Sequence, residues 1–436
     1  MQTLPLSDQF TYRFEPPRHN RLLISLGRWY VDSMLRRRHA VEEVDIAGLE
    51  RIAPLLQSGD GVLLAPNHCD HADCYVMFHL SKQMHTAFYY MAAFQIFGGK
   101  NRWILPRLGA FPVDREGADV RAFKTGVEIL GRGREPLVIF PEGEIYRLTD
   151  RLTPLREGAV AVAATAAKKG IERNKTVWIV PIALKYRYLE SCDPEPAALA
   201  LMDRLEDRLT WRPRQSLALL ERLYAFADAA LALKEYEHLG SPRSGPLSKR
   251  IAALRDSILD AVEDRRVGKR SIETTPLRVK NARRACLDLL ADPQLTPASI
   301  AEIRRDLDDL HLAVQLFSYP GDYVRERPTV ERLSETLMKF EEDFLGVIEA
   351  TPHGPRRAVV RVGEPINVGT RLTRGARPRA AVATLTHDLE ISMQSLLDSI
   401  PPGRFLPGPP PTFVDLPGLG VEARPAPQSS AQSSSA

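Results

Sequence analysis

Between residues 60 and 190, short apolar runs alternate with amphipathic stretches. The runs GVLLAP, TAFYYM, GAFPV, PLVIFP and TVWIVPIAL are each bounded by turn residues and read as strands buried in a sheet. The intervening DCYVMFHLSKQ, DVRAFKTGVEILGRG and EGAVAVAATAAKKG read as helices, the last two closing on glycine as helix ends commonly do. This alternation predicts an α/β fold with a mostly parallel sheet covered by helices. From about 195 to 350 the strand pattern stops. Ile300, Ile303, Leu307, Leu310, Val314 and Phe317 step by three and four, and so do Val330, Leu333, Leu337, Phe340, Phe344 and Val347. Leu247, Ile251, Leu254, Ile258 and Val262 do nearly the same. Three such stripes predict a small antiparallel helical bundle or hairpin arm, with Pro297 and Pro328 marking helix beginnings. A strand pattern returns in RRAVVRVGEPINVG (356–369), followed by a helical RAAVATLTHDLEISMQSLLDSI. The α/β domain is therefore expected to occupy 41–192, to be interrupted by a helical insertion at 193–355, and to be completed by 356–400. The Pro- and Ser-rich 401–436 reads as disordered.

The first forty residues form a separate segment. In RHNRLLISLGRWYVDSMLRRRH, positions 23, 26, 30 and 34 are apolar at helical spacing and are flanked by arginines and aromatics. That composition suits an amphipathic helix lying on a membrane surface, or an ordinary surface helix packed on its own domain. No window reaches the ~18 to 20 uninterrupted apolar residues that a spanning helix needs. The expected location is cytoplasmic and peripheral to the membrane. The start MQTLPLSDQFTYRFEPP lacks the apolar core of a secretory signal, and Cys69, Cys74, Cys192 and Cys286 follow no framework spacing, which suits a reducing compartment. With 44% hydrophobic and 26% charged residues the chain of 436 residues has a globular composition. A net charge of +4 is too small to indicate nucleic-acid binding but is compatible with anionic small molecules or membrane surfaces.

The densest chemistry lies in APNHCDHADCYVMF (65–78). GVLLAP places Asn67 and His68 at the carboxyl end of a strand, where open α/β sheets bind ligands. Asp73, five positions after His68, falls in the first turns of the next helix. A carboxylate there can reach back to the imidazole and fix its tautomer, which makes His68 a candidate general base. Other readings of the stretch are a metal site from Cys69, His71, Cys74 and His79, a Cys69 nucleophile, or a polar loop that only packs. The first matches no known zinc spacing.

Three downstream blocks give the stretch a context: LGAFPVDREG (108–117), PLVIFPEGEIYR (136–147) and VPIAL (180–184). Together with Asn67, His68 and Asp73 they resemble the glycerolipid acyltransferase family of glycerol-3-phosphate and lysophosphatidate acyltransferases. The matching residues are Gly109, Phe111 and Arg115 in the second block, Phe140 to Gly143 in the third and Pro181 in the fourth. The resemblance covers roughly 40–190 and 356–400. It implies an O-acyltransferase of phospholipid synthesis or remodelling, with His68 and Asp73 catalytic. The acyl donor is then acyl-CoA or acyl carrier protein, the acceptor glycerol 3-phosphate or a lysophospholipid, and no metal or redox cofactor is needed. Asn67, Gly109, Phe111, Arg115, Glu142, Gly143 and Arg147 would form the acceptor and phosphate site, with Pro141 and Pro181 in the acyl pocket. The chain departs from the pattern where Glu144 and Ile145 replace the family's hydroxyl residue and arginine, so that Arg147 supplies the cation from a shifted position or the acceptor is a non-phosphate one. The second departure is the insertion, which is free to cap the acyl channel, bind the carrier or drive self-association. A lipid-binding or scaffold protein that keeps the fold is the alternative of a different class.

Overall fold

The computed structural model describes residues 12–407 except 118, 171–174, 210, 213 and 373–377. The expected tail from 408 onwards lies outside the described residues. Among the described residues the α/β domain is built on eight strands: β1 Val41–Ala47, β2 Gly61–Pro66, β3 Tyr89–Ala93, β4 Ala110–Val113, β5 Leu137–Val138, β6 Val177–Tyr188, β7 Arg356–Val362 and β8 Ile366–Asn367. The sheet runs β1-β7-β6-β2-β5-β3-β4, with β8 added against β6. The run from β6 to β4 is parallel throughout, and β1 is parallel to β7. Only β7 and β8 meet β6 antiparallel. The late strand β7 lies in the same sheet, between β1 and β6.

Both faces are covered. On one, helices Val120–Arg132, Gly158–Gly170 and Pro378–Ser399 pack an aliphatic layer that includes Leu63, Val160 and Leu389. On the other lie helices Arg21–His39 and Asp73–Gln83, meeting the strands through Leu35, Met77 and Val180. The amino-terminal helix turns a different face inwards from the one its apolar spacing suggests. Ile24, Val31 and Leu35 are buried and Gly27 rests against Phe78, while Leu22, Leu26, Trp29 and Tyr30 are exposed. The buried face wins because Gly27 permits close approach at the crossing point.

The insertion carries helices Glu195–Arg208, Leu219–Leu239, Leu247–Arg266, Thr275–Leu290, Pro297–Phe317 and Val330–Leu345. The three expected stripes fall on Leu247–Arg266, Pro297–Phe317 and Val330–Leu345, and the other three helices join them. Consecutive helices are fastened by a repeated device. Arg222, Arg250 and Arg278, at equal spacing, each make a two-pronged pair to a buried glutamate fifteen or sixteen residues earlier, namely Glu206, Glu235 and Glu263. The planar guanidinium fork suits such pairing.

The insertion is not a free arm. The loop after β5 is clamped to helix Val330–Leu345. Glu335 accepts from the Thr149 backbone N–H at 3.2 Å, and Asp150 accepts from Arg332 at 2.9 Å and from Lys185 of β6 at 2.6 Å.

Candidate active site

β2, β5 and β4 are parallel, so the residues that follow them emerge at one edge of the sheet: Asn67-His68, the Phe140–Glu144 turn, and Asp114-Arg115. His68 stands just past β2 with its ring stacked on Phe140, centroids 4.2 Å apart. Its Nδ1 is 2.9 Å from Asp73 Oδ2. Asp73 opens the next helix and is wholly buried. The same Oδ2 accepts the backbone N–H of Cys69 at 2.7 Å and of Asp70 at 2.9 Å, and Oδ1 accepts the Tyr186 hydroxyl at 2.6 Å. A carboxylate held by four donors cannot turn away from the imidazole. That leaves His68 Nε2, at the partly exposed rim of the site, without a protein partner among the described residues.

Glu142 sits behind this pair and is 4% exposed. One carboxylate oxygen accepts the His68 backbone N–H at 2.7 Å, and the other accepts the backbone N–H and hydroxyl of Thr153. Both oxygens are thus engaged within the protein, and Glu142 braces His68 where the sequence suggested an acceptor contact. Burial raises its carboxyl to about 7, against the lowering effect of the Thr153 and His68 hydrogen bonds. Cys69 is buried beneath the same loop, and desolvation followed by the nearby Asp73 charge pushes its thiol far up, which is the wrong direction for a nucleophile. The proposed metal group does not gather either: His79 turns to Asp32 at 2.8 Å and His71 to Glu342 at 3.5 Å.

The cations form a second constellation. Arg115 donates to the Gly143 carbonyl and lies 3.1 Å from Glu144 Oε1. Gly143 has a left-handed φ of 78°, and a β-carbon there would meet Arg156 Nε at 2.6 Å. So the glycine admits a guanidinium, not a substrate backbone. From the insertion, Arg283 reaches Glu116 at 2.8 Å. Burial pushes the Glu144 carboxyl up, but Arg115, Arg156 and Arg283 together outweigh it and hold it below its ordinary value. The Nε atoms of Arg115 and Arg156 are buried with no hydrogen-bond partner among the described residues. Arg156 and Arg283 lie outside all four sequence blocks, and no motif pattern points to either.

Several expected site residues lie elsewhere. Arg147 is 2% exposed and bonded to Asp70 at 2.6 Å and to Glu342 of the insertion at 2.6 Å. Buried Asp70 and partly buried Glu342 take its donors, so the structure pairs it within the protein instead of leaving it free for a phosphate. Asp70 also accepts from Arg356 of β7 at 2.9 Å. Burial opposes its ionisation, yet Arg356 and Arg147 hold it well below the usual carboxylate range. Asn67 exchanges two hydrogen bonds with the Leu184 backbone, at 3.1 and 2.7 Å, and so joins β2 to β6. Gly109 precedes β4, roughly 20 Å of extended chain from Arg115 at ~3.3 Å per residue. It is packed against His19 and the Phe88 carbonyl, and its φ is +96°. Phe111 is fully buried in the core. Pro181 packs on Gly363 inside the sheet, and the buried Pro141 accepts the Arg156 N–H through its carbonyl. Asn67, Gly109, Phe111, Pro141 and Pro181 are framework residues, because each side chain or backbone is spent on holding strands and turns together.

Residues 43–185 match the family model described as Acyltransferase. A 78-residue stretch is 40% identical to the 1-acyl-sn-glycerol-3-phosphate acyltransferase of Bacillus subtilis (strain 168), covering 17% of this chain and 36% of that protein. The chain thus spans about a third of the length of that curated relative. The crystal structure of the 1-acyl-sn-glycerophosphate (LPA) acyltransferase from Thermotoga maritima is 15% identical, covering 36% of this chain and 56% of that one, with a TM-score of 0.27.

Proposed function

We propose, from the premise that the α/β domain of this chain belongs to the glycerolipid acyltransferase family, that the protein transfers an acyl group from a thioester to a hydroxyl of a glycerol-phosphate lipid acceptor. The observation that carries this is the His68–Asp73 pair at 2.9 Å on the carboxyl edge of the sheet, with Nε2 open to an incoming group. The acceptor hydroxyl gives its proton to Nε2 as its oxygen attacks the thioester carbonyl. Asp73 keeps Nδ1 protonated and stabilises the imidazolium that forms. Collapse of the tetrahedral adduct breaks the C–S bond, and His68 returns the proton to the departing thiol of coenzyme A or acyl carrier protein. The acceptor's phosphate is met by Arg115, which bonds the Gly143 carbonyl, and by Arg156, whose Nε lies against Gly143. The second departure from the family pattern then has a role: the insertion contributes Arg283 to this edge.

A second reading rests on Glu144. Its carboxylate already occupies Arg115 at 3.1 Å, as an anionic acceptor group would. In this reading the acceptor is a neutral alcohol. The test is free-thiol release from acyl-CoA by the purified chain, offered lysophosphatidate, glycerol 3-phosphate and simple alcohols. Rapid turnover with the phosphate acceptors, falling at least tenfold in Arg115→Ala and rising in Glu144→Thr, is the expected result. Turnover confined to neutral alcohols and indifferent to Arg115 would establish the second reading instead.

Work at a membrane surface is part of the proposal. Among the described residues no helix is long and apolar enough to cross a membrane. The amino-terminal helix nevertheless exposes Leu22, Leu26 and Trp29 on one face, with Arg36 and Arg37 exposed near its end. An apolar stripe beside cations is the composition of a helix resting in the headgroup region.

A further inference from the structure

The insertion contains a cavity of about 330 Å³, separate from the His68 site, with almost wholly apolar walls. Protein interiors leave few voids larger than a water molecule, and apolar ones stay dry and take apolar guests. The void exists because helix Leu219–Leu239 presents Ala227 and Ala230 where larger residues would close it against Ile251, Leu316 and Phe340. Exposed Leu233 stands at its mouth. Gln315, 8% exposed as a residue, lines it and is the neutral amide among the lining side chains. Small-molecule sites have this make-up: an apolar hollow of roughly 300 to 1,000 Å³ with a few placed polar groups.

One wall ties the cavity to the α/β domain. Tyr146, Arg147 and Leu148 line it, and they follow directly on the Glu142–Glu144 turn. The Arg147 guanidinium reaches Asp70, whose backbone N–H is bound by Asp73.

We propose that the helical insertion binds one long lipid acyl chain in this cavity, with Gln315 bonding an oxygen at the chain's polar end. The ligand class is a fatty acyl chain, whether that of a reaction substrate or of a resident lipid. This site stands independently of the chemistry at His68.

The test is saturable binding of a long-chain fluorescent fatty acid to the full chain, alongside Ala227→Phe, Ala230→Phe and Gln315→Leu, each checked for native circular dichroism and cooperative unfolding. Wild type binds saturably, and His68→Ala binds equally well, which separates this site from the acyl-transfer reading. The phenylalanine variants weaken binding at least about tenfold by filling the void. Gln315→Leu weakens it up to about tenfold by removing one hydrogen bond, and it decides the matter should either phenylalanine variant fail to fold. Turnover with thioesters and lysolipids of graded chain length identifies the source. A shift of the preferred length downwards in the filled variants marks a substrate chain, and an unchanged profile with lost binding marks a resident lipid. Absence of saturable binding by wild type, or wild-type affinity in all the folded cavity variants, overturns the proposal.

Discussion

Replacing Asp73 by asparagine separates the catalytic part of the account from the structural part. The amide keeps the shape of the carboxylate. Its oxygen can occupy the Oδ2 position and go on accepting from His68, Cys69 and Asp70, while its NH2 faces the Tyr186 hydroxyl, which turns to accept. The fold should therefore survive, weakened by about 1–3 kcal/mol as charge-assisted bonds become neutral ones. Catalysis loses much more. With Nδ1 and Oδ2 at 2.9 Å, the centres of an imidazolium and a carboxylate lie about 4 Å apart, worth about 4 kcal/mol at an effective dielectric of about 20. At about 1.4 kcal/mol per decade that predicts a fall in kcat of about a thousandfold, and amidating the aspartate behind a catalytic histidine is known to reach about ten-thousandfold. The assay is single-turnover acyl transfer from a labelled thioester, with KM for the acceptor measured separately and expected to change little. A folded Asp73→Asn protein with kcat within tenfold of wild type would refute the reasoning, as would a loss expressed wholly in KM.

Two further outcomes follow from buried charge. Asp70→Ala leaves Arg147 and Arg356, 2% and 4% exposed, without a shared carboxylate, and should lower unfolding free energy by about 3–5 kcal/mol in urea titrations; a loss below about 1 kcal/mol would show that the three segments meeting there do not depend on it. Glu142, raised in the fold to about 7 from 4.5, binds its proton more tightly folded than unfolded, so its contribution to stability is complete below pH 4.5 and is lost as pH rises through 7. Across that window the unfolding free energy of wild type should decline relative to Glu142→Gln by an amount on the order of 3 kcal/mol; parallel curves from pH 4.5 to 8 would contradict it.

The strands and helices that position the site were legible because each is a short, uniformly apolar or clearly amphipathic run. β2 and the helix Asp73–Gln83 begin and end where the pattern puts them. β1 was not legible: VEEVDIA alternates charged residues with Val and Ile at the sheet's edge, and its partner β7 arrives some three hundred residues later. The helices Glu195–Arg208, Leu219–Leu239 and Thr275–Leu290 escaped notice for another reason. Their buried faces include Glu206, Arg222, Glu235 and Arg278, which no hydrophobic stripe registers. At the site, the spacing of His68 and Asp73 carried the geometry that the structure displays. Motif membership was a poor guide to contact elsewhere, because a motif position can serve the frame. Gly109 and Phe111 hold β4 in place, Asn67 joins two strands, and Glu142 holds the His68 backbone. Arg147 was misread because nothing local reveals Glu342, which comes from the insertion.

The central claim is that His68 is the base for acyl transfer. The most direct measurement is single-turnover transfer of a labelled acyl group from coenzyme A to lysophosphatidate by purified wild type and His68→Ala, at equal concentration and with matched circular dichroism. The account predicts diacyl product from the wild type and a rate lower by about a thousandfold or more in the variant. Product formed by His68→Ala at a rate near that of wild type would contradict it.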